Sequence, residues 1–175
     1  MKYYKYQDEE SLIGSGVRYV EAEDGRSFRE ITASRDSFLA SNIKYPRWGL
    51  MMSEGQVDYD SIEEVVEIER GEFEQVWGAH LVQNSGRWLV TKLGHEIGAH
   101  VKGHIAIFYP QGVLVDLGDA VLGVAGYDEC RASTEPEFLH AHHAVSGVVS
   151  GYDEQHQWLV LSSPHVLQER RVVEA

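Results

Sequence analysis

Between residues 93 and 166 the chain breaks into five apolar runs: His100–Tyr109, Gly112–Leu117, Val121–Ala125, Ala144–Val149 and Gln157–Ser162. Each is about 5–10 residues long, and Gly, Pro, Asp or Ser separates it from the next. Strands of that length and punctuation predict a small closed barrel. Val101, Ile105, Val115, Leu117, Val148 and Leu161 are expected to point into it. Gly103, Gly112 and Gly123 fall inside or at the ends of these runs, where a bulge or sharp coil lets a small barrel close.

The first half reads differently. Val17–Glu23 alternates and leads through Asp24-Gly25, a strong hairpin signal, into Ser27–Thr32. Ser37–Ser41 and Trp48–Met52 are expected to be further short strands. Glu72–Trp77 predicts one short helix, because Phe73, Val76 and Trp77 share a face at i, i+3 and i+4. Ala79–Gln83 and Arg87–Lys92 flank Asn84-Ser85-Gly86 and predict a hairpin. The fold class is therefore mainly β with an α+β start. A small unit spans 1–78, a connecting hairpin 79–92 and a five-stranded barrel 93–166, followed by a polar tail over 167–175.

The barrel region resembles the S-one domain, an RNA-binding OB-fold family first named from a small-subunit ribosomal protein. Gly98-Ala99-His100-Val101-Lys102-Gly103-His104-Ile105 is similar to the family's opening strand, and Gly112-Val113-Leu114-Val115-Asp116-Leu117-Gly118 to its second. Val121-Leu122-Gly123-Val124-Ala125, Val145-Ser146-Gly147-Val148-Val149 with Gly151-Tyr152-Asp153, and Leu159-Val160-Leu161-Ser162 follow in register. The resemblance implies RNA or ribosome association. Family members carry rings, a His and a cation where this chain has Gln111, Leu114, Gly126 and Trp158. Stacking on rings and a basic groove supply most single-strand affinity, so weak binding is expected. The candidate contacts are Lys102, His104, Tyr109, Tyr127, Arg131 and Trp158. Phe108, with apolar strand neighbours, is expected in the core.

Charge supplies the competing reading. Fifteen Lys and Arg stand against 28 Asp and Glu, a formal net charge of −13. Residues 1–80 carry −8 of it and residues 81–175 carry −5, so neither half is a basic nucleic-acid arm. Such a chain attracts a basic partner protein, in the manner of an immunity protein or antitoxin. The acids from Asp58 to Glu69 are expected to form the docking surface: Asp58, Asp60, Glu63 and Glu64 are its candidates, with Trp48 or Tyr59 as buried anchor.

Catalysis finds no foothold in the sequence. There is no G-x-S-x-G, no phosphate-cradling G-x-x-x-x-G-K-[ST], and the carboxylate runs read as solvated faces rather than an acid–base pair. His100 and His104 share a strand face, and His140, His142 and His143 follow later, but no spacing matches a metal motif. If those histidines gather on one face they make a pH-sensitive surface. The single Cys130 excludes an intramolecular disulfide. The chain is read as a non-enzymatic binding protein without cofactor or metal. Lacking a signal-like N-terminus or an apolar run of membrane length, it is expected in the cytoplasm, away from membranes.

Overall fold

The computed structural model describes residues 1–53 and 55–170, and the chain divides into two compact units, Met1–Ser85 and Gly86 onward. In the first, an antiparallel sheet runs in the order β4-β3-β2-β1-β7, built from β1 (Lys2–Asp8), β2 (Gly16–Glu23), β3 (Arg26–Ala33), β4 (Phe38–Ala40) and β7 (Val66–Ile68). A two-stranded ribbon, β5 (Lys44–Tyr45) with β6 (Gly49–Leu50), lies between β4 and β7 in sequence. Both faces of the sheet are covered. Helix α1 (Arg70–Gln83) lays Phe73 and Trp77 against Tyr3, Ile31 and Ala40, while Tyr59 packs with Tyr4, Val20 and Ala22 on the opposite face. Neighbouring β1 residues thus serve two cores, as alternation on a strand requires.

The hairpin expected over 79–92 does not form. Those residues are helical, in α1 and in α2 (Ser85–Gly94), and the expected helix over 72–77 extends to Arg70–Gln83. Asn84 caps α1 with its backbone N–H on the His80 carbonyl. Asn and Ser serve helix ends as readily as they serve hairpin turns. The expected strand over 48–52 shrinks to Gly49–Leu50, and β1 and β7 add strands that sequence reasoning passed over.

The second unit is a closed barrel in the order β10-β12-β11-β8-β9. Its strands are β8 (His100–Tyr109), β9 (Gly112–Gly118), β10 (Val121–Ala125), β11 (His143–Asp153) and β12 (Trp158–Arg170). Closure comes from the parallel pairing of β10 with β12, a five-strand arrangement that fits an OB-fold. Helix α3 (Tyr127–Ala132) joins β10 to the segment before β11. Gly103 permits the close packing of β8 on β9, since a Cβ there would collide with the Asp116 carbonyl. At Gly112 φ is +144°, and a Cβ would strike the Ala125 carbonyl.

Ile105, Val115 and Leu161 reach the barrel core, with Val101 and Leu117 packed at its margin. Val148 does not. Val145 and Val149 fill the interior instead, and Val148 sits half-buried on the other face of β11. Two pairing irregularities, between Ser146 and Val148 and between Val149 and Gly151, surround it. The expected tail is also partly strand: residues 167–170 complete β12, and the remainder of 167–175 lies outside the described residues. No helix among the described residues is long and apolar enough to cross a membrane.

Candidate functional site

OB barrels take oligonucleotides on the outer face of their second and third strands and on two flanking loops. Here those strands are β9 and β10. Their core-facing residues include Val113, Val115 and Ala125, so alternation turns Leu114, Asp116, Leu122 and Val124 outward. That outer face holds no cation and no ring. Leu114, Asp116 and Leu122 are moreover buried, at 0%, 8% and 3% exposure.

The six candidate RNA contacts fall into three groups. Tyr109 and Trp158 are removed from contention: both are buried, edge to face at 5.9 Å, and His156 stacks on Trp158 at 4.4 Å. The indole is held by its own neighbours and has no free face for a base. Tyr127 and Arg131 are exposed and stand four apart on α3, hence on one face of it. Phe108, expected in the core, is 39% exposed and meets Tyr127 edge-on at 6.1 Å. Lys102 and His104 belong to a third place, the outer wall of β8, where Lys102 Nζ pairs with Glu169 at 2.7 Å.

The wall around Lys102 extends across three strands. His100, Lys102 and His104 alternate with the inward Val101, Gly103 and Ile105. Register sets Ser146 of β11 beside Lys102 and His165 of β12 beside Ser146. His165 is exposed, and sequence reasoning did not single it out. The only signal available was its parity with Ser163 on β12, which means nothing until the β11–β12 register is known. His140 and His142 stay in the loop ahead of β11, where the His142 N–H donates to the Ile105 carbonyl. Among the described residues, no three His, Cys, Asp or Glu side chains form a group that could hold a metal ion.

In the first unit the candidate acids are exposed. Asp60 accepts from Lys2 Nζ at 2.6 Å and from Tyr4 Oη at 3.0 Å, and these hydrogen bonds hold its carboxyl below the usual range. Glu67 lies 3.8 Å from the same Lys2. Asp58, Glu63, Glu64 and Glu69 form no ion pair among the described residues. This run borders β7, which ends the sheet and, among the described residues, pairs with β1 alone, and Val66 on it is exposed. Tyr59 cannot anchor a partner, because it is buried with its hydroxyl 2.9 Å from Ser27 Oγ and its ring stacked on Tyr4 at 4.9 Å. Trp48 is half-buried and tilted against Tyr45 at 6.0 Å.

No protein-family model matches the chain, and no curated protein matches it. The residues themselves carry the functional reading. Cys130 is buried, and burial with Glu129 nearby pushes its thiol up to about 11. A thiol so placed holds its proton at neutral pH and is a poor nucleophile.

Proposed function

We propose that this is a non-enzymatic binding protein whose first unit docks a basic partner protein through the acidic border of β7. The contrast between two surfaces carries the reading. The outer face of β9 and β10 offers an oligonucleotide neither cation nor ring, whereas the β7 border presents unpaired carboxylates around an exposed Val66. Charge of this kind raises association rates and selects among partners. A strand edge with one side unpaired also accepts an extended segment by backbone hydrogen bonding. The immunity or antitoxin role is the form of this reading that the charge favours.

Pull-down from the source cell, followed by kinetics on Glu63→Lys/Glu64→Lys, tests it. The double variant should associate with the captured basic protein more slowly and with less salt sensitivity, while its folding survives. Exposed substitutions usually change stability by no more than about 0.5 kcal/mol. Recovery of only RNA or ribosomes, indifferent to the two lysines, would remove the reading.

A second reading, weak RNA binding by the barrel, is favoured by one observation: Phe108, Tyr127 and Arg131 are exposed near one another. Tyr127→Ala should then weaken binding of a short oligoribonucleotide, and the wild-type affinity should fall only shallowly with salt.

A further inference from the structure

Helix α2 turns one face to the barrel and an apolar face to solvent, and we infer that the outward face pairs with the same face of a second copy of this chain, helix against helix and antiparallel. The surface belongs to the second unit and uses neither the acidic border of β7 nor Phe108, Tyr127 and Arg131.

The inner face is fixed by polar and ring contacts. Trp88 is buried and donates from Nε1 to Glu154 at 2.6 Å, and Lys92 Nζ reaches the same carboxylate at 2.8 Å. Lys92 Nζ also lies 5.3 Å from the centroid of the Trp88 ring and 5.8 Å from that of Tyr152, whose hydroxyl donates to the His95 carbonyl at 3.0 Å. Tyr152 and Glu154 come from the end of β11 and the turn after it, so these contacts decide which way α2 faces. At about 3.6 residues per turn, Leu89, Val90 and Leu93 then lie opposite Trp88 and Lys92. All three are more than half exposed, and so is Ile97 in the turn that follows the helix. Exposed apolar residues scattered singly need no explanation, but four in one short stretch mark an interaction surface.

Area and charge both select a second copy. Together the four side chains expose roughly 500 Å² per copy, so a self-paired face buries about 1,000 Å² over both copies, the least that a specific interface needs. The rim is self-complementary, because Arg87 and Glu96 are exposed at opposite ends of the stripe. A twofold axis beside the middle of α2 brings Val90 of one copy to Leu93 of the other and Arg87 to Glu96, each contact made twice. The same axis sets Leu89 toward Gly94 of the second copy and Ile97 toward its Gly86. A Cβ at either glycine would have no neighbour within 4 Å beyond the helix's own backbone, so both positions leave room for a large side chain. Parallel pairing would instead set Arg87 beside Arg87 and Glu96 beside Glu96. A lipid surface is a poorer match, since helices that lie on membranes carry Lys and Arg along their flanks and this stripe ends on Glu96 in an acidic chain.

The test is sedimentation velocity of the full chain from about 1 to about 100 µM, in about 0.15 M salt, where repulsion between acidic chains is screened beyond about 8 Å. The sedimentation coefficient should climb from monomer to dimer with a dissociation constant on the order of 10 µM, as befits an interface at the small end of the range. Val90→Gln/Leu93→Gln should raise that constant by about tenfold or more. Glutamine holds a helix well, and exposed substitutions scarcely disturb folding. Leu12→Gln, which removes an exposed apolar residue of the first unit, should leave the constant unchanged. Arg87→Glu should weaken the dimer by setting like charges together, and Arg87→Glu/Glu96→Arg should restore it. A chain that stays monomeric across the range overturns the inference, whether the face then takes a lipid surface, seen as co-flotation with phosphatidylcholine vesicles, or another part of the same chain. A dimer untouched by Val90→Gln/Leu93→Gln overturns it too, as does a charge swap no tighter than the single reversal. Circular dichroism checks that each variant is folded, and Leu93→Gln alone serves if the double variant is not.

Discussion

Replacing Arg29 with Met removes the most deeply buried charge of the first unit without removing much volume. Arg29 is 0% exposed. It pairs directly across β2 and β3 with Glu21, donating from Nε at 2.5 Å and from Nη2 at 2.8 Å. The same guanidinium reaches Glu74 of α1 at 2.8 and 3.1 Å, and its Cζ lies 4.8 Å from the centroid of the Phe73 ring and 5.3 Å from that of Trp77. One side chain thus fastens helix to sheet by charge and by ring contact. Without it, among the described residues the buried Glu21 keeps the Tyr3 hydroxyl at 3.1 Å as its side-chain partner, whereas Glu74 keeps Arg70 at 3.4 Å and is exposed enough to find water. Stranding a buried carboxylate costs about 3–5 kcal/mol. For a unit of this size each kcal/mol is about 4–8 °C, so its transition should fall by at least about 12 °C. Thermal and urea unfolding of the full chain, followed by tryptophan fluorescence, report it because Trp77 touches the site. Arg29→Met/Glu21→Met should be less damaged than the single variant, since an apolar pair leaves no orphaned charge. A single variant within about 1 kcal/mol of wild type would refute the reasoning. A double variant no better than the single would refute it equally.

The Glu74 carboxyl and two glycines carry further expected outcomes. The Arg29 hydrogen bonds hold the Glu74 carboxyl below its usual range, so the folded state favours the ionised form. That contribution is present above the unfolded carboxylate value near 4.3 and is lost as pH falls through the lower folded value. Glu74→Gln should flatten the acid limb of the urea midpoint measured from about pH 6 downward; an unchanged limb would contradict the assignment. Gly103→Ala drives a methyl into the Asp116 carbonyl and should cost about 1–3 kcal/mol, whereas Gly78→Ala, in open space within α1, should gain about 0.5–1 kcal/mol. Denaturant titration gives both signs, and a stable Gly103→Ala barrel would show that β8 and β9 can separate there.

The barrel was legible because its strands obey a period of two and are punctuated by glycines that the geometry needs. The first unit was not, for identifiable reasons. Strand β1 contains no Val or Ile; its Tyr3 and Tyr4 serve opposite cores, so the apolar alternation that marks a half-buried strand is absent. Helix α1 buries His80, which bonds Asn42 at 2.8 Å, and exposes Val82. Helix α2 buries Trp88, whose Nε1–H donates to Glu154 at 2.6 Å, yet exposes Leu89, Val90 and Leu93. With polar residues inside and apolar ones outside, the helical period is erased over the segment read as a hairpin.

The site was legible only to the depth that a single strand allows. Alternation alone put His100 and His104 on one face of β8, and the structure keeps them there with Lys102 between them. Adding His165 required the register of β11 on β12, and that ladder has three irregularities between His143 and Gly151. Each irregularity can change which residues share a face, and no local pattern announces it. The same limit explains the rings. Tyr109 and Trp158 flank barrel loops as stacking residues would, but partners distant in sequence decide whether a ring is a platform or a plug: Trp158 meets Tyr109 and is stacked by His156. Phe108, beside Tyr109 on the same strand, differs from it by one position and so by one face. That single step exposes Phe108 to Tyr127 and closes Tyr109 away, which is why the aromatic character of β8 could be read from its residues and its use could not.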